Sequence, residues 1–454
     1  MRVLVVGGGG REHALVHSFA QSKLAERIFC APGNAGTAGL ADNVPVDADD
    51  LPALLEFAGR EQVDLTVIGP EAPLVAGLTD LFEEHGLRVF GPSRAAAQLE
   101  GSKVFAKEVM RAGGVTTGAY SRHETLESAL AALTPDGPYP LVVKADGLAA
   151  GKGVMICADH DEAKAAVESC FVQRSFGAAG DVVIIEEFLA GSEVSLLVLC
   201  DGRNAVPLAP AQDYKRIFAG DLGPNTGGMG SYCPVPGFEQ KAIDAAMEHV
   251  VEPMMTALAK RGIDYRGVLY AGLIVTPTGV KVLEFNCRFG DPETQAILPR
   301  LESDLLELCA AAAAGELAGV KAVWKPRQCV TVVMASGGYP ASSHKGDVIS
   351  GLDAAGAIDD VTVYHAGTAL QDGDVVTAGG RVLAVSALGD GFGEARARAY
   401  GALARLSFPG QQTRDDIGER AVRAAAGELA LFPNGLGLPR RPTIANHRGA
   451  DDQP

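Results

Sequence analysis

Three side chains within five residues, Glu284, Asn286 and Arg288, form the chain's most chemically suggestive group. They lie in Val282-Leu283-Glu284-Phe285-Asn286-Cys287-Arg288-Phe289-Gly290-Asp291-Pro292-Glu293. Val280, Val282, Glu284 and Asn286 alternate with Lys281, Leu283 and Phe285, which predicts a strand with two unlike faces. Glu284 and Asn286 would then project from one face, roughly 6–7 Å apart along the strand. A carboxylate and an amide oxygen at that spacing suit a hard cation such as Mg²⁺ or Mn²⁺, which also takes phosphate oxygens. Arg288 is permanently charged and shaped to grip phosphate or carboxylate. A half-buried strand with a polar edge would look the same, so the rest of the chain must decide.

Several further segments carry phosphate-binding chemistry. Gly7-Gly8-Gly9-Gly10-Arg11 ends a predicted strand and opens a helix, so the amides of Gly8, Gly9, Gly10 and Arg11 would form an anion site. The dinucleotide fingerprint fails here, because Glu12 stands where its closing glycine belongs and no acid follows the second strand. A second loop, Gly33-Asn34-Ala35-Gly36-Thr37, could aim further amides at the same phosphate. Gly147–Gly153 imitates a P-loop, yet Gly153 follows Lys152 where Ser or Thr is required. A glycine-rich hairpin over phosphates, with Lys144 on the preceding strand, fits better. Lys103 and Lys107 share one helix face at i, i+4. Glu186-Glu187-Phe188-Leu189 ends an apolar strand, where backbone groups could meet a purine edge and Glu193 could accept ribose hydroxyls. Residues 212–230 read as a donor-rich loop: Asp213 could hold an ammonium, and Lys215 could neutralise a transferring phosphoryl group.

The elements that must position these groups suggest an α/β protein. Its 454 residues exceed one core and imply about three domains. Residues 1–102 follow the βαβα rhythm of an open parallel sheet, including a helix near Leu74–His85. Residues 103–120 with 191–325 form a central body, 121–190 an inserted small α+β unit expected to move as a lid, and 326–431 a mostly β domain with flanking helices. The tail 432–454 is expected to be disordered. The 56 glycines exceed the roughly 32 that an average usage of about 7% would give, and many fall in these loops.

Net charge −17 argues against nucleic acid or an anionic membrane as partner. Eight scattered cysteines without C-x-x-C read as reduced thiols, and no leader or spanning segment is expected, which together predict a cytoplasmic protein.

Taken together, these segments resemble the ATP-grasp ligases and, more narrowly, the phosphoribosylamine–glycine ligases. The motifs that carry the resemblance are Gly7–Ala14, Ala31–Thr37, Gly69-Pro70-Glu71-Ala72-Pro73-Leu74, Lys144–Gly153, Asn225–Gly230 and Glu284–Glu293, over about residues 1–430. The resemblance implies an N-terminal parallel-sheet domain, an ATP-grasp core with an inserted lid, and a C-terminal β-rich domain. It implies ATP-dependent ligation of glycine to 5-phosphoribosylamine through a glycyl phosphate, an early step of purine synthesis, with Mg²⁺ or Mn²⁺ at Glu284 and Asn286. ATP would lie on Lys103, Lys107, Lys144, Gly147, Gly151, Lys152, Gly153, Glu186, Glu187, Phe188, Leu189 and Glu193. The catalytic group would be Asp213, Lys215 and Arg288, with Asp213 and Arg288 at the two ends of glycine. The remaining substrate contacts would come from Gly8, Gly9, Gly10, Arg11, Gly33, Asn34, Gly36, Thr37, Glu71, Asn225, Thr226, Gly227, Gly228, Met229 and Asp291. A monomer or weak dimer is expected. An ATP-grasp ligase or carboxylase for another acid is the alternative, and Tyr270–Ile274 lacks the additional acidic metal ligand common in that superfamily.

Overall fold

The computed structural model describes residues 1–149, 153–433, 435 and 436. Its first sheet is wholly parallel, ordered Asp42–Asn43, Arg27–Pro32, Arg2–Gly7, Leu65–Ile68, Val89–Phe90. The order reverses between Arg2–Gly7 and Leu65–Ile68, so the loops after these strands open onto one crevice. The expected helix at 74–85 is instead two, Glu71–Ala76 and Leu78–Glu84, broken at Gly77 in the left-handed region. A further helix, Arg94–Gly101, was not anticipated and leads directly into Lys103–Gly113.

A second sheet is antiparallel, ordered Ala205–Pro207, Ser192–Asp201, Arg266–Thr276, Gly279–Asn286. One face carries Val194, Leu196, Leu269, Ala271, Leu273, Val282 and Phe285 into a large apolar core. The alternation expected across 280–286 is corrected here. Leu273 pairs with Val282 and Gly272 with Glu284, so Leu283 is an unpaired bulge. The extra residue lets Val282 and Phe285 both enter the core, while Glu284 and Asn286, half-buried, face the opposite side with Tyr270.

The inserted unit forms its own sheet, Tyr120–His123, Val183–Glu187, Leu141–Ala145, Val154–Cys157, closed by helix His160–Phe171 over a separate core that includes Val143, Val167 and Ile185. The last large sheet runs Gln212–Asp213, Gly230–Cys233, Gln328–Ala335, Arg381–Gly389, Val361–His365. It draws two strands from before the boundary expected at 325/326, so the C-terminal part is not self-contained. The stretch 212–230 is likewise strand and hairpin rather than open loop, with Arg216–Phe218 paired to Leu222–Asn225. Of the flanking helices expected in 326–431, the last is short, Glu419–Ala425, starting after Gly418 at positive φ.

All eight cysteines are buried and unpaired. Burial raises the Cys287 thiol well above its ordinary range, which suits packing rather than nucleophilic attack. No described helix is long and apolar enough to cross a membrane.

Candidate active site

Glu284 is the centre of the site. Burial alone would push its carboxyl up, but Lys215, Lys144, Lys103 and Arg288 together hold it below its usual value. Neither the Glu284 carboxylate nor the Asn286 amide makes a hydrogen bond among the described residues, so their oxygens stand available. Four cations converge in a basin around the Glu284 carboxylate. Three of them, Lys144, Lys215 and Arg288, hold further carboxylates as well, so a polyphosphate with a bound cation would take their charge in competition with those partners.

The cations reach this basin from three parts of the fold. Lys103 and Lys107 come from the Lys103–Gly113 helix, which is capped by Ser102. Lys103 donates to the Gly147 carbonyl at 3.1 Å, and burial lowers both ammoniums. Lys144 comes from the inserted sheet and lies 2.5 Å from Glu186 Oε2, while Lys107 meets Glu186 Oε1. Glu186 is therefore locked between two lysines, and its side chain is not free for a purine edge. Glu187 stands exposed, 3.7 Å from Lys281, with half-buried Phe188 and buried Leu189 following. The base of the glycine-rich hairpin is stitched by Ala145 N–H to Gly153 O and Gly147 N–H to Ala179 O. Gly151 and Lys152 lie outside the described residues.

Lys215 donates to Glu193 at 2.6 Å and to Asp213 at 3.0 Å. Asp213, expected to hold a substrate ammonium, thus holds the chain's own. Burial pushes its carboxyl up to about 7, the Lys215 charge opposes this, and Glu293 and Glu193 add to the rise. Lys215 itself stays firmly charged beside two carboxylates. The following turn fixes the lysine's backbone, since Thr226 donates to the Lys215 carbonyl through both N–H and Oγ1. Asn225 is half-buried opposite Arg216. Gly228 has φ +113°, and a Cβ there would collide with Pro292. Met229 is corrected: its side chain is fully buried in the core, its N–H serves Tyr214 and its carbonyl serves Val333.

Arg288 is held by Glu71 at 3.3 Å and Glu100 at 2.9 Å, which raise its pKa against burial. Glu100 also accepts from Cys287 N–H at 2.7 Å. Glu71 is held below its usual range by Arg288 and Arg11, although burial pushes the other way. Arg11 is buried against Glu12 at 2.6 Å and donates to the Phe289 carbonyl. Glu12 in turn accepts from Gly9 N–H, and its carboxylate fills the space where a Gly69 Cβ would sit.

The second glycine loop corrects an expectation. Asn34 Oδ1 accepts from the amides of Gly36 and Thr37, Asn34 N–H donates to Thr37 Oγ1, and Gly33 N–H donates to Gly7 O. Those amides are satisfied within the protein, so in this state they brace the first loop instead of facing a phosphate. Asn34 Nδ2 completes the brace on the Gly8 and His365 carbonyls. The helix Gly10–Phe19 opens where expected, but the anion site is corrected in part: Gly9 N–H is taken by Glu12 and Arg11 N–H by Asp291. Asp291, held below its usual range by Arg381 and Arg11 against burial, lies at that same helix start.

Sequence reasoning missed three contributors. Glu100 comes from the unanticipated helix. Arg381 donates to the carbonyls of Gly227 at 2.6 Å and Asp291 at 2.8 Å, tying the C-terminal sheet to the site. Glu293 is buried and accepts from Tyr270 and Ser195 beneath Asp213. The Glu284–Glu293 motif contained Glu293, but only the fold shows its partners.

Sequence comparisons agree with this geometry. Models of phosphoribosylglycinamide synthetase match its N domain at residues 1–100, its ATP-grasp (A) domain at 101–294 and its C domain at 329–420. The phosphoribosylamine–glycine ligase of Vibrio parahaemolyticus is 50% identical over 425 residues, covering 93% of this chain and 99% of that one. The Pseudomonas aeruginosa enzyme of the same name is 50% identical over 431 residues, covering 94% and 100%. The crystal structure of phosphoribosylamine–glycine ligase from Thermotoga maritima superposes with TM-score 0.79 at 34% identity, covering 92% of this chain and all of that one. A biotin carboxylase–ATP analogue complex from Campylobacter jejuni shares the fold alone, at TM-score 0.69 and 16% identity. With all three domain models in order and half the residues shared along nearly the whole length, the chain belongs to the phosphoribosylglycinamide synthetase family of ATP-grasp ligases.

Proposed function

We infer that this chain ligates glycine to 5-phosphoribosylamine with ATP, giving N1-(5-phospho-D-ribosyl)glycinamide, ADP and phosphate in de novo purine synthesis. The observation that carries the reading is the ionised Glu284 surrounded by Lys103, Lys144, Lys215 and Arg288. Phosphoryl transfer asks for position and charge neutralisation more than for covalent help, and this basin offers both.

The residues fit a divalent ion. Glu284 and Asn286 offer two unengaged oxygens, and no cluster of three or more His, Cys, Asp or Glu ligands occurs among the described residues. The nucleotide would then supply further oxygens, as Mg²⁺ sites commonly arrange. When bound, Mg²⁺ or Mn²⁺ neutralises the phosphate charge on the transferring group.

The chain's own residues do the rest. Lys103, Lys107 and Lys144 hold the ATP phosphates. The purine lies along the backbone of Glu186–Leu189, and Glu193 takes the ribose hydroxyls in competition with Lys215. Asp213 accepts the glycine ammonium, and Arg288 orients the carboxylate. One glycine carboxylate oxygen attacks the γ-phosphorus and ADP leaves with its bonding electrons. The amine nitrogen of 5-phosphoribosylamine, held near Gly8–Arg11 and Glu71, then attacks the acyl carbon. Phosphate departs, and the amine loses a proton. Lys215 and Arg288 face the charge that develops in both steps. The enzyme acts in the cytoplasm as a monomer or weak dimer.

Initial rates of ADP release across a panel of acids test the substrate. Glycine with 5-phosphoribosylamine should give the only efficient turnover. Efficient turnover with bicarbonate or a D-amino acid, and none with glycine, would overturn the assignment.

A further inference from the structure

The bulge at Leu283 decides which way Glu284 points. Without that extra residue, a one-step slip of the ladder would turn Glu284 toward the apolar core. Gly279–Asn286 is also the edge strand of its sheet, so on its outer side the sheet itself supplies no neighbour to hold that register.

Something else occupies the outer side. The segment entering the inserted unit passes alongside, where Thr117 forms a parallel bridge with Val282 and the Thr116 carbonyl accepts from Val282 N–H at 2.9 Å. The Thr117 hydroxyl donates to the Val282 carbonyl at 2.6 Å and accepts from Lys107 Nζ at 2.7 Å. Lys107 meets Glu186, Glu186 meets Lys144, and Lys144 reaches the Leu283 carbonyl at 3.4 Å. A closed polar ring therefore begins on one bulge carbonyl and ends on the next. It passes through the Lys103–Gly113 helix, the segment entering the inserted unit and the inserted sheet on the way.

We propose that Thr117 is a positioning residue for the metal-binding pair: through the Val282 carbonyl it fixes the Leu283 bulge, and so the aim of Glu284 and Asn286. The proposal rests on the reading of those two residues as the metal pair. It also gives the two phosphate-facing lysines a second task. Because both share Glu186 with the ring, nucleotide phosphates that draw Lys144 or Lys107 away would change the support under the metal strand.

Thr117→Val keeps the shape and removes the hydroxyl. Mn²⁺ binding to the full-length protein is read by electron paramagnetic resonance with a non-hydrolysable ATP analogue, and analogue binding without metal by calorimetry. Supporting ligand groups usually matter to metal affinity by tenfold or more, so Thr117→Val should weaken Mn²⁺ about tenfold and leave metal-free analogue affinity within about twofold. Thr117→Ser, which restores the hydroxyl, should recover Mn²⁺ binding. If Thr117→Val does not fold, Thr117→Ala carries the same expectation. Unchanged Mn²⁺ affinity in the hydroxyl-free variant, with Glu284→Gln strongly weakened, would overturn the role of Thr117 alone. Equal losses of Mn²⁺ and metal-free analogue would overturn it too, because the hydroxyl would then serve Lys107 and the phosphates. Normal Mn²⁺ binding in Glu284→Gln itself would remove the metal pair, and the proposal with it.

Discussion

Lys215 Nζ lies 2.6 Å from the Glu193 carboxylate, the group proposed to receive the ribose hydroxyls. On that proposal Glu193 serves nucleotide binding and Lys215 phosphoryl transfer. Their contact then couples the two, because ribose hydroxyls arriving at Glu193 would compete with Lys215 for the carboxylate.

Glu193→Gln should therefore act mainly on the nucleotide. A hydrogen bond to a charged group contributes roughly 1.5–3 kcal/mol, which translates into a KM for ATP raised about tenfold or more. The KM for glycine should change far less. Initial rates with each substrate varied in turn distinguish the two.

Glu284→Gln should lower kcat by about 10² or more, on the scale of a lost charge-stabilising group. Lys144, Lys215 and Arg288 keep other carboxylate partners in Glu186, in Glu193 with Asp213, and in Glu71 with Glu100, so folding should survive. Circular dichroism should show a native fold, and unchanged turnover in that folded variant would remove Glu284 from the site.

Gly228→Ala tests the turn behind Lys215. A side chain there meets both a positive φ and the ring of Pro292, and no flexible neighbour can yield. The expected loss is about 2 kcal/mol or more of stability, measured by urea unfolding. A wild-type midpoint would contradict the placement of this turn.

Acid should weaken the contact between the helix Gly10–Phe19 and the last sheet. His13 Nδ1 accepts from His365 N–H at 2.7 Å, which requires the His13 ring nitrogen to be unprotonated. Burial, with the charges of His365 and His17, lowers His13 to about 3, and burial lowers His365 to about 4. In an unfolded chain both rings would take up protons near pH 6.5. Stability from these groups is therefore full above pH 6.5 and is lost as pH falls from there toward 4. Melting temperatures from pH 7.5 down to 4.5 should fall in wild type. They should fall less in His13→Asn, whose side-chain oxygen can accept the same hydrogen bond without titrating.

Much of the fold was legible because periodicity and turn chemistry act locally. The strand ending at Gly7 with the helix after it, the helix carrying Lys103 and Lys107, and the apolar strand ending at Glu187 form where their patterns predict. The failures are tertiary. Nothing in the run around Leu283 signals a bulge, since the register is set by Leu273 and Gly272 across the ladder. The amides of Gly36 and Thr37 look free in sequence, but Asn34 folds back to take both. Met229 sits amid polar and glycine residues, yet its strand end turns it into the core. Glu100 stands three residues before Lys103 on a helix its pattern did not announce, and Arg381 lies far along the chain; both join the site through packing. Motif residues such as Lys144, Glu186, Lys215 and Glu284 were visible because their types and spacing carry the chemistry, whereas their pairings with one another were not.

Transfer of the carboxylate oxygen tests the central claim most directly. With glycine labelled with oxygen-18 in its carboxylate, turnover with ATP and 5-phosphoribosylamine should release phosphate carrying one labelled oxygen. Release of unlabelled phosphate alongside product would contradict activation of the glycine carboxylate by the γ-phosphate in the basin around Glu284.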